Sequence, residues 1–282
     1  MVGILDIGGG LKGVYSAGLY DAFLDLGVSF DYYLGVSAGS ANLASFVAGQ
    51  RGRNVRFYLD FTFRPEYMGF RNWLKHGNFF NLDYVYGTLT NSDGEAPLDG
   101  QKILDLAQPF RLTTTDAATG ETVILEKQDI ILDDYWVFKA SCAIPFLCQP
   151  VHGKGRFLGM AFYDGGVSDP IPYQKAFDDG VDRLVVVLNR PKDSRKDREK
   201  NLELIRRGIG SQFPHVVEKL AQRHEVFNRE IEELLLLEQE GKVLLLGPDQ
   251  LYGVSTTKKD HEAFQKLYDR GYEDGEKILA FL

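Results

Sequence analysis

The first forty-eight residues repeat one unit twice, a short apolar strand closed by glycine and followed by a helix. Val2 to Ile7 is an apolar run ending in Gly8-Gly9-Gly10, and Val14, Ala17, Gly18, Ala22, Leu24 and Leu26 follow in a helix-compatible stretch. Asp31 to Val36 then reads as a second strand, and the Ala- and Ser-rich Ala38 to Ala48 as a second helix after a sharp turn. Strands that alternate with helices predict a mainly parallel sheet covered on both faces, a three-layer α/β/α sandwich. With 282 residues, 44% of them hydrophobic, the chain has enough apolar material for one large core. No repeat or low-complexity linker interrupts it, so residues 1–282 are expected to form a single α/β domain.

Downstream, the segment from Phe57 to Phe80 crowds ten aromatic or Met side chains around basic residues without a clear period. It reads either as a second small core or as a lid and acyl-binding wall. Phe110 to Thr115 and Glu121 to Leu125 flank a turn at Asp116 to Gly120 and predict a strand pair. A helix is expected over Asp133 to Ala143, a strand over Phe157 to Tyr163, a short helix over Ile171 to Phe177 and a buried strand over Leu184 to Leu188. The charge run KDSRKDREK from Lys192 to Lys200 reads as a solvated loop or helix start. Val217, Leu220, Phe227, Ile231, Leu234 and Leu235 recur at spacings of three and four, which predicts a long amphipathic helix. His224 lies on that stripe and is expected to be a hydrogen-bonded core histidine. Val243 to Leu246 should form a late strand, and Glu262 to Leu282 a closing helix.

A net charge of -8 opposes bulk attraction to nucleic acid or anionic lipid. Cys142 and Cys148 are too few for a disulfide framework and read as buried thiols. The five histidines form no HExxH-like pair, so no metal site is expected. The start MVGILDIGGG lacks the features of a secretory signal, and no stretch is long and apolar enough to span a bilayer. The expected location is cytoplasmic, with peripheral membrane contact allowed.

Chemistry concentrates at the two glycine turns. Gly35-Val36-Ser37-Ala38-Gly39 is a GxSxG pentapeptide at a strand end and a helix start, the context in which it can present a serine nucleophile. Gly8-Gly9-Gly10-Leu11-Lys12-Gly13 permits three readings. Gly8, Gly10 and Gly13 satisfy GxGxxG, but the acidic residue expected after the second strand of a dinucleotide fold is replaced by GVSAGS. A Walker loop needs GxxxxGK and then Ser or Thr, which is absent. The third reading is an oxyanion hole of backbone N–H groups, worth on the order of 3 kcal/mol per donor. If the two strands are neighbours, both turns serve one site.

A serine needs a proton acceptor within reach. The histidines after Ser37 stand in settings without turn glycines, whereas Asp164 follows the expected strand FLGMAFY and precedes Gly165-Gly166. A carboxylate facing the serine can act as base once burial and neighbours adjust its pKa. Taken alone, Asp164 also fits an aspartate that merely begins a turn.

Together, GGGLKG, GVSAGS and YDGG in this order resemble the patatin-like phospholipases. Thr115-Asp116 with Thr119-Gly120 is similar to that family's TDxxTG hairpin, and SCAIPF at Ser141 to Phe146 to its SxAxPxxF segment. The resemblance covers Ile4 to Phe177, a catalytic core that residues 178–282 would complete. It implies a Ser37–Asp164 dyad and an oxyanion loop at Gly8, Gly9 and Gly10. Lys12, Gly13, Gly35, Gly39, Gly165 and Gly166 are the supporting motif positions. The family cleaves fatty acyl esters without metal or cofactor, so an acyl lipid or ester substrate is expected, and no nucleic acid. Lys12 stands where many members have Arg, which keeps charge and loses the bidentate fork. Pro170 stands where asparagine often follows the DGG segment, which removes a local hydrogen bond. The expected reaction is hydrolysis through an acyl-serine intermediate. The alternatives are an acyltransferase with the same dyad, a Ser-His-Asp hydrolase using His215, His224 or His261, and a catalytically idle lipid-binding protein.

Overall fold

A computed structural model describes all 282 residues. Period-two burial sorts the central strands into one sheet with two apolar faces. Ile4 of β1 (Val2–Asp6) points to one face and Leu5 to the other, and in β7 (Arg183–Val187) Val185 and Val187 oppose Leu184 and Val186. All six side chains are fully buried, each worth about 1.5–3 kcal/mol relative to exposure.

The remaining strands are β2 (Tyr32–Val36), β3 (Phe110–Asp116), β4 (Thr122–Glu126), β5 (Val151–His152), β6 (Ala161–Asp164) and β8 (Val243–Leu246). The sheet has eight strands in the order β5-β6-β3-β2-β1-β7-β8, with β4 paired to β3. From β3 across to β8 the pairing is parallel, while β4, β5 and β6 are antiparallel. Parallel neighbours require crossovers, which the helices supply.

In chain order the helices are α1 (Val14–Asp25), α2 (Ala38–Val47), α3 (Arg53–Leu59), α4 (Phe70–His76), α5 (Gly100–Leu104), α6 (Trp136–Ser141), α7 (Tyr173–Asp178), α8 (Leu202–Ile209), α9 (Pro214–Gln239) and α10 (His261–Asp274). Tyr15, Leu19 and Phe23 of α1, Leu43 and Phe46 of α2, and Trp136 and Phe138 of α6 cover one sheet face. Tyr173 of α7 with Phe227, Ile231 and Leu234 of α9 cover the other. The three-layer α/β/α sandwich with a mainly parallel sheet is therefore present.

A third cluster joins the aromatic segment to the C-terminal helices: Phe57, Phe61, Tyr67 and Phe80 pack with Phe264 and Leu267 of α10. The second-core reading of this segment is correct for these rings. Phe70 and Leu74 of α4 remain 64% and 68% exposed, so the same segment also carries an open apolar edge.

Several elements differ from the expected ones. The strand expected over Phe157 to Tyr163 begins only at Ala161, because Gly155–Phe157 forms a 3-10 turn and Gly159 takes φ +92. The helix expected from Asp133 starts at Trp136, after Asp133 and Tyr135 adopt left-handed φ of 59 and 50. The closing helix ends at Asp274 and continues as a 3-10 turn over Gly275–Ala280, where the chain packs against Ala22 of α1. His224 is not hydrogen-bonded as expected: its Nδ1 is buried without a partner, and Nε2 is 3.7 Å from Glu225.

Candidate active site

Strand register brings the site together. β4 occupies one edge of β3 from Arg111 to Thr115, so β2 and β6 must share the other edge, end to end. β2 stops with Val36 opposite Thr113, and β6 stops with Asp164 opposite the next residue, Thr114. Ser37 and Asp164 thus leave their strands at the same point along β3.

Ser37 sits in a sharp turn with φ 55 and ψ -135, directly before α2. Such a conformation is costly for a residue with Cβ and persists only where its surroundings hold it. Its N–H donates to Ser141 Oγ at 3.0 Å, and its carbonyl accepts Ser40 Oγ at 2.6 Å. Gly35 lets the following helix close on the strand, since a Cβ there would meet Ser40 Cα at 2.4 Å. The amide dipoles of α2 add partial positive charge beside the hydroxyl.

The glycine loop lies alongside. Gly8 has φ +64, and a Cβ on it would come within 2.3 Å of Val36 O, one residue before Ser37. Only glycine permits that approach. The buried Asp6 carboxylate holds the loop by accepting the Gly8 N–H at 2.8 Å, the Tyr20 hydroxyl at 2.8 Å and Asn189 Nδ2 at 2.7 Å. Asn189 also donates to Gly8 O at 3.1 Å. Of the three glycines expected to donate to an oxyanion, Gly8 has therefore committed its N–H to Asp6. Gly9 and Gly10 have no such partner within the chain. Lys12 lies over Gly9, with Nζ 3.3 Å from the position of a Gly9 Cβ.

Asp164 is held by its neighbours. Its N–H donates to Ala143 O at 2.8 Å, its carbonyl accepts Thr115 Oγ1 at 2.9 Å, and its Oδ1 accepts the Gly166 N–H at 2.8 Å. Both Ser37 and Asp164 are 7% exposed. Burial raises the Asp164 pKa above the usual carboxylate range, opposed by hydrogen bonding from Ser37 and Gly166 and by the charges of Arg223 and Lys196. A raised carboxyl pKa suits a group that must take and return a proton near neutral pH.

Two cavities meet at Ser37. One is mainly apolar, lined by Leu11, Ala41, Phe57, Tyr67, Phe80 and Leu98. The other holds Ser37 together with Asp164, Gly8, Gly9, Gly10 and Lys12. No histidine lines either, which separates all five from the serine. Cys142 and Cys148 are free and buried, as expected, and Cys142 borders the apolar cavity. No group of three or more His, Cys, Asp or Glu side chains could hold a metal. No helix is long and apolar enough to cross a membrane.

Asp6, Asn189 and Ser141 were not assigned roles from the sequence. Ser141 belongs to the SCAIPF segment, whose place between the two turns gives it a partner in Ser37. Asp6 and Asn189 are 183 residues apart, and only the parallel pairing of β1 with β7 brings them together. The second cavity is also lined by Arg190, Lys196, Glu199 and Arg223. Lys196 and Glu199 come from the charge run expected to be solvated. The run is a loop with Asp193, Arg195, Asp197, Arg198 and Lys200 exposed, as expected, but two of its residues turn toward α9, with Lys196 Nζ 4.4 Å from the Phe227 ring and Glu199 paired to Arg223 at 2.9 Å.

Residues 8–177 match the family model of the patatin-like phospholipases, which is more than half of the chain. The chain belongs to the patatin-like phospholipase family. Residues 213–282 match a second family model, described as a domain of unknown function, DUF6363. The uncharacterized protein YjjU of Escherichia coli (strain K12) is 29% identical over 235 residues, 81% of this chain and 62% of that protein. The chain thus spans less than two thirds of that relative. The crystal structure of VipD from Legionella pneumophila superposes with a TM-score of 0.52 at 14% identity, covering 99% of this chain and 66% of that one. At that identity the likeness supports the fold alone.

Proposed function

We propose that the protein hydrolyses fatty acyl esters through an acyl-Ser37 intermediate, with Asp164 as the base. The observation that carries this reading is the end-to-end arrangement of β2 and β6 on one edge of β3, which sets Ser37 beside a buried carboxyl of raised pKa. Asp164 takes the Ser37 proton as Oγ attacks the ester carbonyl. The Gly9 and Gly10 N–H groups, assisted by the N-terminus of α2, stabilise the developing oxyanion. The tetrahedral intermediate collapses, the C–O bond to the alcohol breaks, and Asp164 returns the proton to the leaving oxygen. Water then attacks the acyl-serine by the same proton path and releases the fatty acid. The apolar cavity receives the acyl chain, and the exposed Phe70 and Leu74 of α4 offer a separate apolar surface suited to contact with lipid.

Ser37→Ala and Asp164→Asn should each lower kcat for a p-nitrophenyl ester by roughly 10⁴-fold while the circular dichroism spectrum stays native. Full turnover by either folded variant would overturn the assignment.

A further inference from the structure

We infer that the polar cavity beside Ser37 is a subsite for an anionic phosphate head group, with Arg190, Lys196 and Arg223 as its specificity-determining residues. The inference rests on the acyl-ester reading of the same site and names the substrate class it selects.

Four cationic side chains, Lys12, Arg190, Lys196 and Arg223, line this cavity with two carboxylates, Asp164 and Glu199. A chain of net charge -8 has acid to spare, yet here cations are in excess. Glu199 is engaged with Arg223 at 2.9 Å, and Asp164 is turned to Ser37 and Gly166. Arg190 is left without an anion: its Nε and Nη1 are buried and have no hydrogen-bond partner. Buried guanidinium donors left idle are expensive unless a ligand accepts from them. The Phe227 ring fixes the heads of both Arg190 and Lys196, at 4.8 and 4.4 Å from its centroid. Fixed cations around a concave, partly buried space are the complement of a phosphate, which accepts several charge-assisted hydrogen bonds at once.

Burial first, and repulsion between these groups second, hold both lysines below their ordinary range. Burial together with Arg190 and Arg223 pushes Lys12 down to about 7, and burial with the same two arginines pushes Lys196 well below its ordinary value. Glu230, the other acid near Lys196, is raised to about 8 by burial and Asp169 and so offers no full charge at neutral pH. A phosphate monoester, carrying about -1.5 to -2 charges at pH 7, would offset this repulsion and favour the charged form of both lysines. A zwitterionic head group would bring another cation into the cluster. The site therefore fits a single phosphate monoester better than a choline or ethanolamine diester.

Geometry sets the order of the substrate parts. Ser37 borders both cavities, so an acyl chain in the apolar one leaves the alcohol side of the ester facing the cations. Arg190 and Lys196 lie outside the residues matched by either family model, and Arg223 lies in the segment 213–282. The head-group subsite is thus supplied by the C-terminal third of the chain.

The test compares three lipids with one acyl chain: 1-acyl-glycerol 3-phosphate, 1-acyl-glycero-3-phosphocholine and monoacylglycerol. Binding to the Ser37→Ala protein is measured below the micellar range, and kcat/KM with the wild type. The phosphate monoester should bind at least about tenfold more tightly than either of the others. Arg190→Gln and Lys196→Gln should each collapse that ratio toward one. Glycerol 3-phosphate should compete for binding, and equal competition by inorganic phosphate would place recognition in the phosphate itself. Equal affinity for all three lipids, or an equal loss on all three in the variants, would overturn the subsite. Preferential binding with no hydrolysis by the wild type would instead overturn the catalytic reading and leave the subsite standing.

Discussion

The two cavities that share Ser37 are built in opposite ways. The apolar one is lined by α2, α3 and the aromatic segment that follows, residues mostly within sixty positions of the serine. The polar one collects Lys12 from the first turn, Asp164 from β6, Arg190 from beyond β7 and Arg223 from α9. Apolar lining asks only for shape and can be recruited locally, because dispersion and water exclusion have little direction. Charged lining must be aimed, and the sheet aims it by bringing distant strand ends to one level. The difference teaches that one reacting group can face two solvents, provided its own turn is fixed more firmly than either wall.

That last condition can be broken first. Asp6 holds the glycine loop through three donors, all of which lose their acceptor in Asp6→Ala. The variant should lose about 3 kcal/mol of stability or more in urea unfolding, with ester hydrolysis falling alongside. Native stability would show that the loop is held from elsewhere. A smaller effect separates the cavities. Ala41→Phe intrudes into the apolar one, so kcat/KM for a long-chain ester should fall on the order of tenfold more than for an acetyl ester. An equal loss on both would place the acyl chain outside this cavity.

The smallest effect sharpens the electrostatic side. In the proposed mechanism ionised Asp164 is the active form, so activity should fall as pH falls through its raised pKa. Lys196 lowers that pKa by its charge, and removing the charge raises it further. The acid limb of kcat/KM for a neutral ester should therefore move to higher pH in Lys196→Gln. An unmoved or downward-moving limb would uncouple Lys196 from the base.

Local pattern made much of this legible. The apolar run through Ile4 and Leu5, the helix stripe through Phe227 and Ile231, and the turns at Gly8 and Ser37 all depend on neighbours in sequence. Gly159 interrupted the expected strand because a single left-handed residue outweighs apolar flanks on either side. Lys196 was unreadable for a different reason. A charged run resembles a solvated loop at every residue, and only its return over α9 turns one lysine inward. The Asp6–Asn189 clamp likewise depends on a pairing of β1 with β7 that no local window contains.

The central claim is that Ser37 is the nucleophile, and an active-site-directed fluorophosphonate tests it most directly. Intact-mass and peptide mass spectrometry of the folded protein should find one phosphonyl adduct, on the peptide carrying Ser37, and none in Ser37→Ala. An adduct on another serine, or ester hydrolysis that survives complete modification of Ser37, would contradict the account.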